Sequence, residues 1–281
     1  MKAEVVLTPT ESKKLISDAV LSLDCVKNAL ENGTVAIHPS SSTVFIYEKL
    51  TGRMPGGLFV CGVVNEKGLA GSLEAVEMIR SRGPGKHDPR EVSKETWVFE
   101  KGELRTGIPL GEILDNLTGD DVYIKGCNAL DPYGKAGVLF SNPAGGGGTI
   151  GKVMAARRKQ NFRVLFPVGL EKLIPVSINE AAKAIGFMKA DLAMGIPAAL
   201  FPVDGTVITE VSALETLYGV RATPISAGSI GGTGGCVTLV IEGEEPEVRE
   251  CFSYLLSIKG AELPELHLPP EDGPVYSKLY I

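Results

Sequence analysis

The sequence contains few of the residues that build metal centres and disulfide frameworks, and it has no long apolar run. Its 281 residues include three histidines and five cysteines, and no two cysteines have the short spacing of a metal knuckle or redox pair. No stretch reaches about 18 uninterrupted apolar residues, and the first residues contain no apolar core long enough for a signal peptide. We therefore expect reduced thiols in a cytoplasmic protein, with no membrane contact and no metal or redox cofactor.

The chain also lacks an excess of positive charge. Lysine and arginine number 28 against 34 aspartates and glutamates, so the formal net charge is −6. The one dense cationic run, Arg157-Arg158-Lys159, is typical of the last turn of a helix, where cations interact favourably with the helix dipole. This composition argues against nucleic acid as a partner.

Glycine, by contrast, is abundant, with 34 residues that gather in clusters at 145–148 and 231–235. Clustering favours binding loops and tight turns over a fibrous or disordered chain. The first cluster lies within residues 120–175, between an apolar strand at 122–124 and a helix at 150–159, which a strand at 163–168 follows. This order is that of a crossover unit, which places ligands at the carboxyl ends of parallel strands.

The residues before this unit predict further helices and strands. Residues 10–32 have apolar side chains at three- and four-residue spacings and predict one helical region. A strand at 34–37 leads through a hydroxyl-rich loop into a helix at 44–50, an arrangement that favours anions at the helix N-terminus. Residues 58–64, LFVCGVV, show no alternation and predict a central strand. Residues 68–80 are compatible with a helix.

The composition shifts after residue 175. A strand, helix, strand, strand and helix within about 60 residues predict a ferredoxin-like α+β domain at 177–262. Its glycine loop at 228–235 is compatible with a shared site, an oligomer pore or a long hairpin. The predicted architecture is an α/β domain at 1–176 with a mostly parallel Rossmann-like sheet, this second domain, and an extended tail at 263–281. Because the tail is suited to packing on a neighbouring chain, we expect a homo-oligomer.

Two segments carry a resemblance to a known superfamily. Residues 33–50, GTVAIHPSSSTVFIYEKL, and residues 121–138, DVYIKGCNALDPYGKAGV, resemble the two signatures of the ribose-5-phosphate isomerase, glucosamine-6-phosphate deaminase and CoA-transferase-like superfamily. The resemblance covers roughly residues 10–176. It implies an α/β fold of that type and a small anionic metabolite, a phosphosugar or a CoA-type ligand, as the partner.

The candidate ligand-binding residues lie in two loops. They are Ser41, Ser42, Thr43, Gly145, Gly146, Gly147, Gly148 and Thr149. Consecutive glycines allow close backbone approach to a phosphate, although a plain flexible turn explains them as well. The serines are equally suited to capping the following helix. The string GGGTIGK resembles a P-loop, but Val153 stands where that motif needs a hydroxyl, so we interpret the match as accidental.

The candidate catalytic residues are Asp131, Asn128 and Lys125. Asn128 stands where the isomerases carry an acid, and an amide cannot accept a proton at neutral pH, so Asp131 is the best acid–base candidate. An aspartate before proline is also a common turn opener. Cys127 fits a nucleophile or a buried thiol, and Glu171-Lys172 fit the border of the crevice or a surface pair.

The sequence therefore supports two functional hypotheses. The first is a cytoplasmic enzyme, an isomerase or transferase, that acts on a small anionic metabolite. The second is a ligand-sensing or oligomeric binding protein that kept the pocket and lost the base, which Asn128 favours.

Overall fold

The computed structural model describes residues 1–55, 60–65, 68–71, 96–141, 146–186, 190–230 and 234–264. Over these ranges the protein is a mixed α/β structure with eight α-helices and a six-stranded mixed sheet. The helices are α1 (Pro9–Ser22), α2 (Asp24–Asn32), α3 (Val44–Thr51), α4 (Leu110–Asn116), α5 (Gly148–Gln160), α6 (Ile178–Ile185), α7 (Glu210–Tyr218) and α8 (Glu245–Ser257).

Fourteen strands lie in the same ranges. They are β1 (Lys2–Leu7), β2 (Thr34–Ile37), β3 (Cys61–Asn65), β4 (Gly68–Gly71), β5 (Trp97–Glu100), β6 (Glu103–Arg105), β7 (Val122–Ile124), β8 (Ala129–Leu130), β9 (Ala136–Phe140), β10 (Arg163–Pro167), β11 (Ala199–Pro202), β12 (Thr206–Ile208), β13 (Arg221–Ala227) and β14 (Val237–Glu242). The predicted strands at 122–124 and 163–168 and the helix at 150–159 are confirmed within one or two residues.

The large sheet has the strand order β12-β10-β7-β2-β5-β6. The first four strands are parallel to one another, whereas β5 and β6 form an antiparallel hairpin at the edge beyond β2. Because parallel neighbours point the same way, the carboxyl ends of β2, β7, β10 and β12 meet at one edge. This edge positions the candidate site.

The large sheet is buried on both faces, which explains why its central strands are continuously apolar. Val35, Ile37, Val122 and Ile124 face a cluster that contains side chains of α1 and α7. The alternate residues Ala36 and Tyr123 face a second cluster, with side chains of α4 and α5. Successive side chains of a strand point to opposite faces, so β2 and β7, with four and three residues, supply both clusters.

A second sheet has the order β1-β14-β13 and is antiparallel throughout. β1 pairs with β14 from Lys2 opposite Glu242 to Leu7 opposite Val237, so strands from the two ends of the described chain share this sheet. The predicted ferredoxin-like arrangement is not confirmed. Its expected first strand, β12, instead pairs with β10 in the large sheet.

Three predicted elements differ from the structure. The helical region at 10–32 is two helices, because Leu23 between them has extended backbone angles. The prediction of a central strand at 58–64 is wrong: β3 pairs with β4 in a two-stranded hairpin, and Val64 is 69% exposed. Gly62 has a φ of 95°, which interrupts the regular pairing. Residues 68–71 form β4 rather than a helix, and 72–80 lie outside the described residues.

Candidate functional site

Four loops meet at the carboxyl edge of the large sheet. They are residues 38–43 after β2, residues 125–128 after β7, residues 168–172 after β10, and residues 209–210 after β12. Hydrogen bonds and charges connect side chains of these loops with the first turn of α1. We call the ionisable side chains that meet here the edge cluster: Lys13, Lys125, Glu171, Lys172 and Glu210.

The hydroxyl-rich loop after β2 is a tight turn that leads into α3. The Thr43 hydroxyl donates to the carbonyl oxygen of His38 at 2.7 Å, and the amide of Thr43 donates to that of Ser40 at 3.1 Å. Thr43 is completely buried and its hydroxyl shapes the turn. Of the three predicted binding residues here, Ser41 is half-buried, and Ser42 contacts a lysine of another loop.

That lysine is Lys172, which joins three of the four loops. Its Nζ atom donates to the carbonyl oxygen of Cys127 at 2.8 Å and to Ser42 Oγ at 3.2 Å. Burial lowers the pKa of the Lys172 ammonium, the carboxylate of Glu171 opposes this effect, and the charge of Lys13 adds to it. The Glu171-Lys172 pair therefore lies at the crevice and is not a solvated surface pair.

Glu171 forms an ion pair with Lys13 of α1, with 3.1 Å between Oε1 and Nζ. The two side chains are 12% and 8% exposed, and among the described residues neither oxygen of Glu171 has a well-aligned hydrogen-bond partner. The glycine loop between β13 and β14 reaches this pair: a Cβ atom at Gly235 would lie 3.2 Å from Glu171 Cβ and 3.1 Å from Pro9 Cγ. This loop therefore borders the crevice.

Glu210 begins α7 and is fully buried. Its two carboxylate oxygens accept from the amide of Leu170 at 3.1 and 3.0 Å. Burial raises the pKa of Glu210 to about 7, and the charge of Glu171 adds to this, while hydrogen bonds from Ser12 and Leu170 oppose it. A carboxyl group with this pKa exchanges protons near neutral pH, as a general acid or base must.

Asp131, the predicted acid–base residue, makes hydrogen bonds that hold the local fold. Its carboxylate accepts from the backbone amides of Tyr133 and Lys135 at 2.9 Å and of Ile178 at 3.0 Å. Burial alone would raise its pKa, but these three amides lower it. A carboxylate held in this way is a weak proton acceptor. Asp131 pins its turn to the start of α6.

Asn128 has a similar structural role. Its Nδ2 donates to the carbonyl oxygen of Gly62 at 3.1 Å, and its Oδ1 accepts from the amide of Leu139 at 3.0 Å. The side-chain amide of Asn128 thus connects the backbone of β3 with that of β9. Lys125 differs from the other two predicted catalytic residues, because its charge acts on two other groups of this edge. It adds to the effect of burial in lowering the pKa of His38, and it opposes the effect of burial in raising the pKa of the Cys127 thiol. Lys125 is therefore part of the edge cluster.

The glycine loop before α5 packs against a small sheet of order β11-β9-β8. Gly146, Gly147 and Gly148 have φ angles of 63°, 101° and 63°, which L side chains rarely adopt. A Cβ atom at Gly147 would lie 2.8 Å from the ring of Phe201. Gly145 lies outside the described residues, and Thr149 is half-buried in the first turn of α5. The positive φ angles favour glycine at all three positions, and at Gly147 the close Phe201 ring favours it as well.

Cys127 and His38 line the same edge as uncharged groups. Burial raises the pKa of the Cys127 thiol to about 12, against the opposing charges of Lys172 and Lys125, so this thiol is a weak nucleophile at neutral pH. Burial lowers the pKa of His38, and the charge of Lys125 adds to that effect. The buried Nδ1 atom of His38 has no hydrogen-bond partner among the described residues.

The edge cluster contains residues that the sequence does not single out. Lys13 resembles any other lysine of an amphipathic helix, and Glu210 resembles an ordinary acidic residue in a first helical turn. The available signal was position: Glu210 lies two residues after the end of β12, and Lys125 lies directly after β7. The serine loop, Lys125 and Glu171-Lys172 meet at this edge, whereas Asp131, Asn128 and the glycine loop serve packing around it.

Within the described ranges, no group of three or more histidine, cysteine, aspartate or glutamate side chains is arranged to hold a metal ion. None of the described helices is long and apolar enough to cross a membrane. Comparison of the sequence with protein-family models and with curated proteins gave no match.

Proposed function

We propose that the chain is an enzyme that acts on a small anionic metabolite bound at the carboxyl edge of the large sheet. One observation carries this proposal: three lysines, Lys13 of α1, Lys125 after β7 and Lys172 after β10, lie at the carboxyl edge, and the first two are buried. Open α/β sheets bind ligands at this edge, where loops from several strands supply the contacts.

The charge balance of the edge cluster favours an anion. Lys13 and Lys125 bring two buried lysine side chains to this edge, and the raised pKa of Glu210, about 7, reduces the negative charge there at neutral pH. Lys172 adds a third ammonium group when it is protonated. The chain as a whole has a net charge of −6, so a cationic site is a local departure from its composition.

The ligand class follows from the resemblance of residues 33–50 and 121–138. We propose a fold of the isomerase and CoA-transferase-like type in a cytoplasmic homo-oligomer, with a phosphosugar or CoA-type ligand. The hydroxyl of Ser42 and the ammonium groups of Lys13 and Lys125 would hold its anionic part. Glu210 replaces Asp131 as the acid–base group, because its pKa of about 7 suits proton transfer at neutral pH.

A thermal-shift screen with sugar phosphates, acyl-CoAs and inorganic phosphate tests the binding step. A ligand of the native state at 100 times its Kd stabilises by about 2.7 kcal/mol and raises the melting temperature. Lys125→Met should weaken binding about tenfold or more, since a charged hydrogen bond contributes roughly 1.5–3 kcal/mol. Lys27→Met, on the exposed side of α2, is the matched control. No response to any of the three ligand classes would contradict the proposal.

Turnover separates the enzyme from the alternative, a ligand-sensing or oligomeric binding protein. One observation favours that alternative: Asn128, Asp131 and the fully buried Glu210 all make hydrogen bonds with the backbone. For any ligand that binds, we expect turnover in the wild type and its loss in Glu210→Gln. Binding without turnover supports the binding protein.

A further inference from the structure

Ser42 and Lys172 form a hydrogen-bonded pair with a third group behind the lysine. Lys172 Nζ lies 3.2 Å from Ser42 Oγ and 2.8 Å from the carbonyl oxygen of Cys127. A hydroxyl, a base within hydrogen-bond reach and a group that orients the base are the arrangement that activates a nucleophile. Serine–lysine pairs are a recurrent form of it. We propose that Ser42 is an acyl-accepting nucleophile and that Lys172 is its general base.

The surrounding backbone fixes the position of Ser42. Its amide donates to Ser40 Oγ at 3.3 Å, and Ser40 Oγ lies 3.0 Å from the hydroxyl of Thr43. A Cβ atom at Gly126 would lie 2.8 Å from Ser40 Oγ and 3.2 Å from Ser42 Cβ. Glycine at 126 therefore lets the end of β7 approach the serine loop closely. A nucleophile held in this way needs little reorganisation before attack.

Lys172 must be unprotonated to accept a proton, and its surroundings favour that state. Among the described residues, the ionisable groups that act on it include Lys13 of α1, Cys127 after β7, its neighbour Glu171, and Glu210 of α7. Burial and Lys13 lower the pKa of Lys172, and this effect outweighs the opposing influence of the other three groups. Lys13 is not equivalent, because its Nζ is paired with Glu171 at 3.1 Å.

The proposed step is acyl transfer to Ser42 followed by hydrolysis. Ser42 Oγ bonds to the acyl carbon while its proton passes to Lys172 Nζ. The bond from the acyl carbon to the leaving group then breaks, and the leaving group takes that proton. Water attacks the resulting ester and gives a proton to Lys172, which returns it to Ser42 as the carboxylic acid leaves. The co-reactant is water, and no electrons are exchanged.

The substrate class is an acyl ester or thioester with an anionic part. The ammonium groups of Lys13 and Lys125 attract that part. This assignment rests on the proposed function, because the anionic part occupies the same edge cluster.

Labelling with phenylmethylsulfonyl fluoride tests the pair without an anionic ligand, because this probe is neutral. Intact mass and peptide mapping should show one sulfonyl group per chain, on Ser42. Ser42→Ala should abolish the adduct, whereas Ser253→Ala, on an exposed position of α8, should retain it. Lys172→Arg keeps the charge and donors but holds its proton, so labelling should slow at least 100-fold.

The pH dependence of labelling in the unaltered chain is a second readout, which no folding defect of a variant affects. The rate should rise with a midpoint below the ordinary lysine pKa of about 10.4. An unlabelled wild type, an adduct on another residue, or equal rates in Lys172→Arg would overturn the assignment. Ser42 labelling without any thermal shift from anionic ligands would support the nucleophile and contradict the proposed function. The opposite result would overturn the nucleophile alone.

Discussion

Lys13 of α1 and Glu171 of the turn after β10 form an ion pair with 3.1 Å between nitrogen and oxygen, almost out of contact with solvent. Such a pair connects a helix to the carboxyl edge of the sheet, and removing one partner leaves the other charge buried and uncompensated. Glu171→Gln should therefore lower the free energy of unfolding by about 3 kcal/mol in urea denaturation.

The control for this change is Glu245→Gln, which removes the exposed pair between Glu245 and Arg249 on α8. Exposed pairs contribute less than about 1 kcal/mol, so its unfolding midpoint should scarcely move. Equal effects of the two substitutions would mean that the pair between Lys13 and Glu171 is solvated.

Glu210 should make stability depend on pH near neutrality. Its pKa in the folded chain is raised to about 7, so between an unfolded pKa of about 4.3 and pH 7 the folded state binds more protons. The stability from this group is thus complete at low pH and is lost as pH rises through 7. From pH 5 to pH 8 the loss should be roughly 2–3 kcal/mol.

Glu210→Gln removes this titration while keeping a neutral side chain of the same shape. Urea unfolding of both proteins at pH 5 and pH 8 isolates the contribution of Glu210, because the other titrating groups, including His38, are common to both. If the difference between the two proteins stayed constant over this range, the raised pKa of Glu210 would be disproved.

Asp131→Asn should destabilise the chain without altering chemistry at the edge cluster. The amide NH₂ of asparagine cannot accept the hydrogen bonds that the second carboxylate oxygen receives. The amide of Ile178 then faces a donor, at a cost of about 1–3 kcal/mol in the free energy of unfolding. We expect a lower melting temperature but unchanged ligand affinity per folded molecule. Loss of turnover with unchanged stability would instead support Asp131 as the catalytic acid or base.

Gly147→Ala should be more destabilising than Gly134→Ala. Both positions have positive φ angles, 101° and 78°, so both substitutions cost about 1–2 kcal/mol of backbone strain. Only at Gly147 would the new methyl group also meet the Phe201 ring at 2.8 Å, whereas nothing lies within 4 Å of it at Gly134. Thermal melts should show the larger loss at Gly147, and Phe201→Leu should reduce the difference.

The sequence predicts the large sheet well where the signal is local. The strands near residues 123 and 165 are short apolar runs between turns, and both lie in the sheet with the helix between them, as predicted. The hairpin of β3 and β4 shows the limit of this reasoning. Its apolar residues predict burial, but exposure depends on which other strands pair with it, and composition does not specify those partners.

The sequence predicts where the candidate site lies in the sheet, but it does not predict which side chains meet there. A motif predicts that Asp131 and Asn128 lie at the site. In the structure, their side chains make hydrogen bonds with the distant backbone groups of Ile178 and Gly62. Conversely, Lys13 acquires its role from Glu171, 158 residues further along the chain. Such partnerships arise from tertiary contacts, so a single sequence indicates the edge of the sheet but not each side chain that faces it.

The pairing of β1 with β14 has a consequence for biosynthesis. During translation, Val5 and Leu7 leave the ribosome long before their partners Leu239 and Val237 exist. The first strand must therefore wait, unpaired and apolar, until nearly all of the described chain has been made. Contacts between residues so far apart in the sequence form slowly, because the chain loses the entropy of the long loop before the contacts stabilise it. The edge cluster is completed equally late, because Gly235, which packs on Glu171, lies in the loop between β13 and β14.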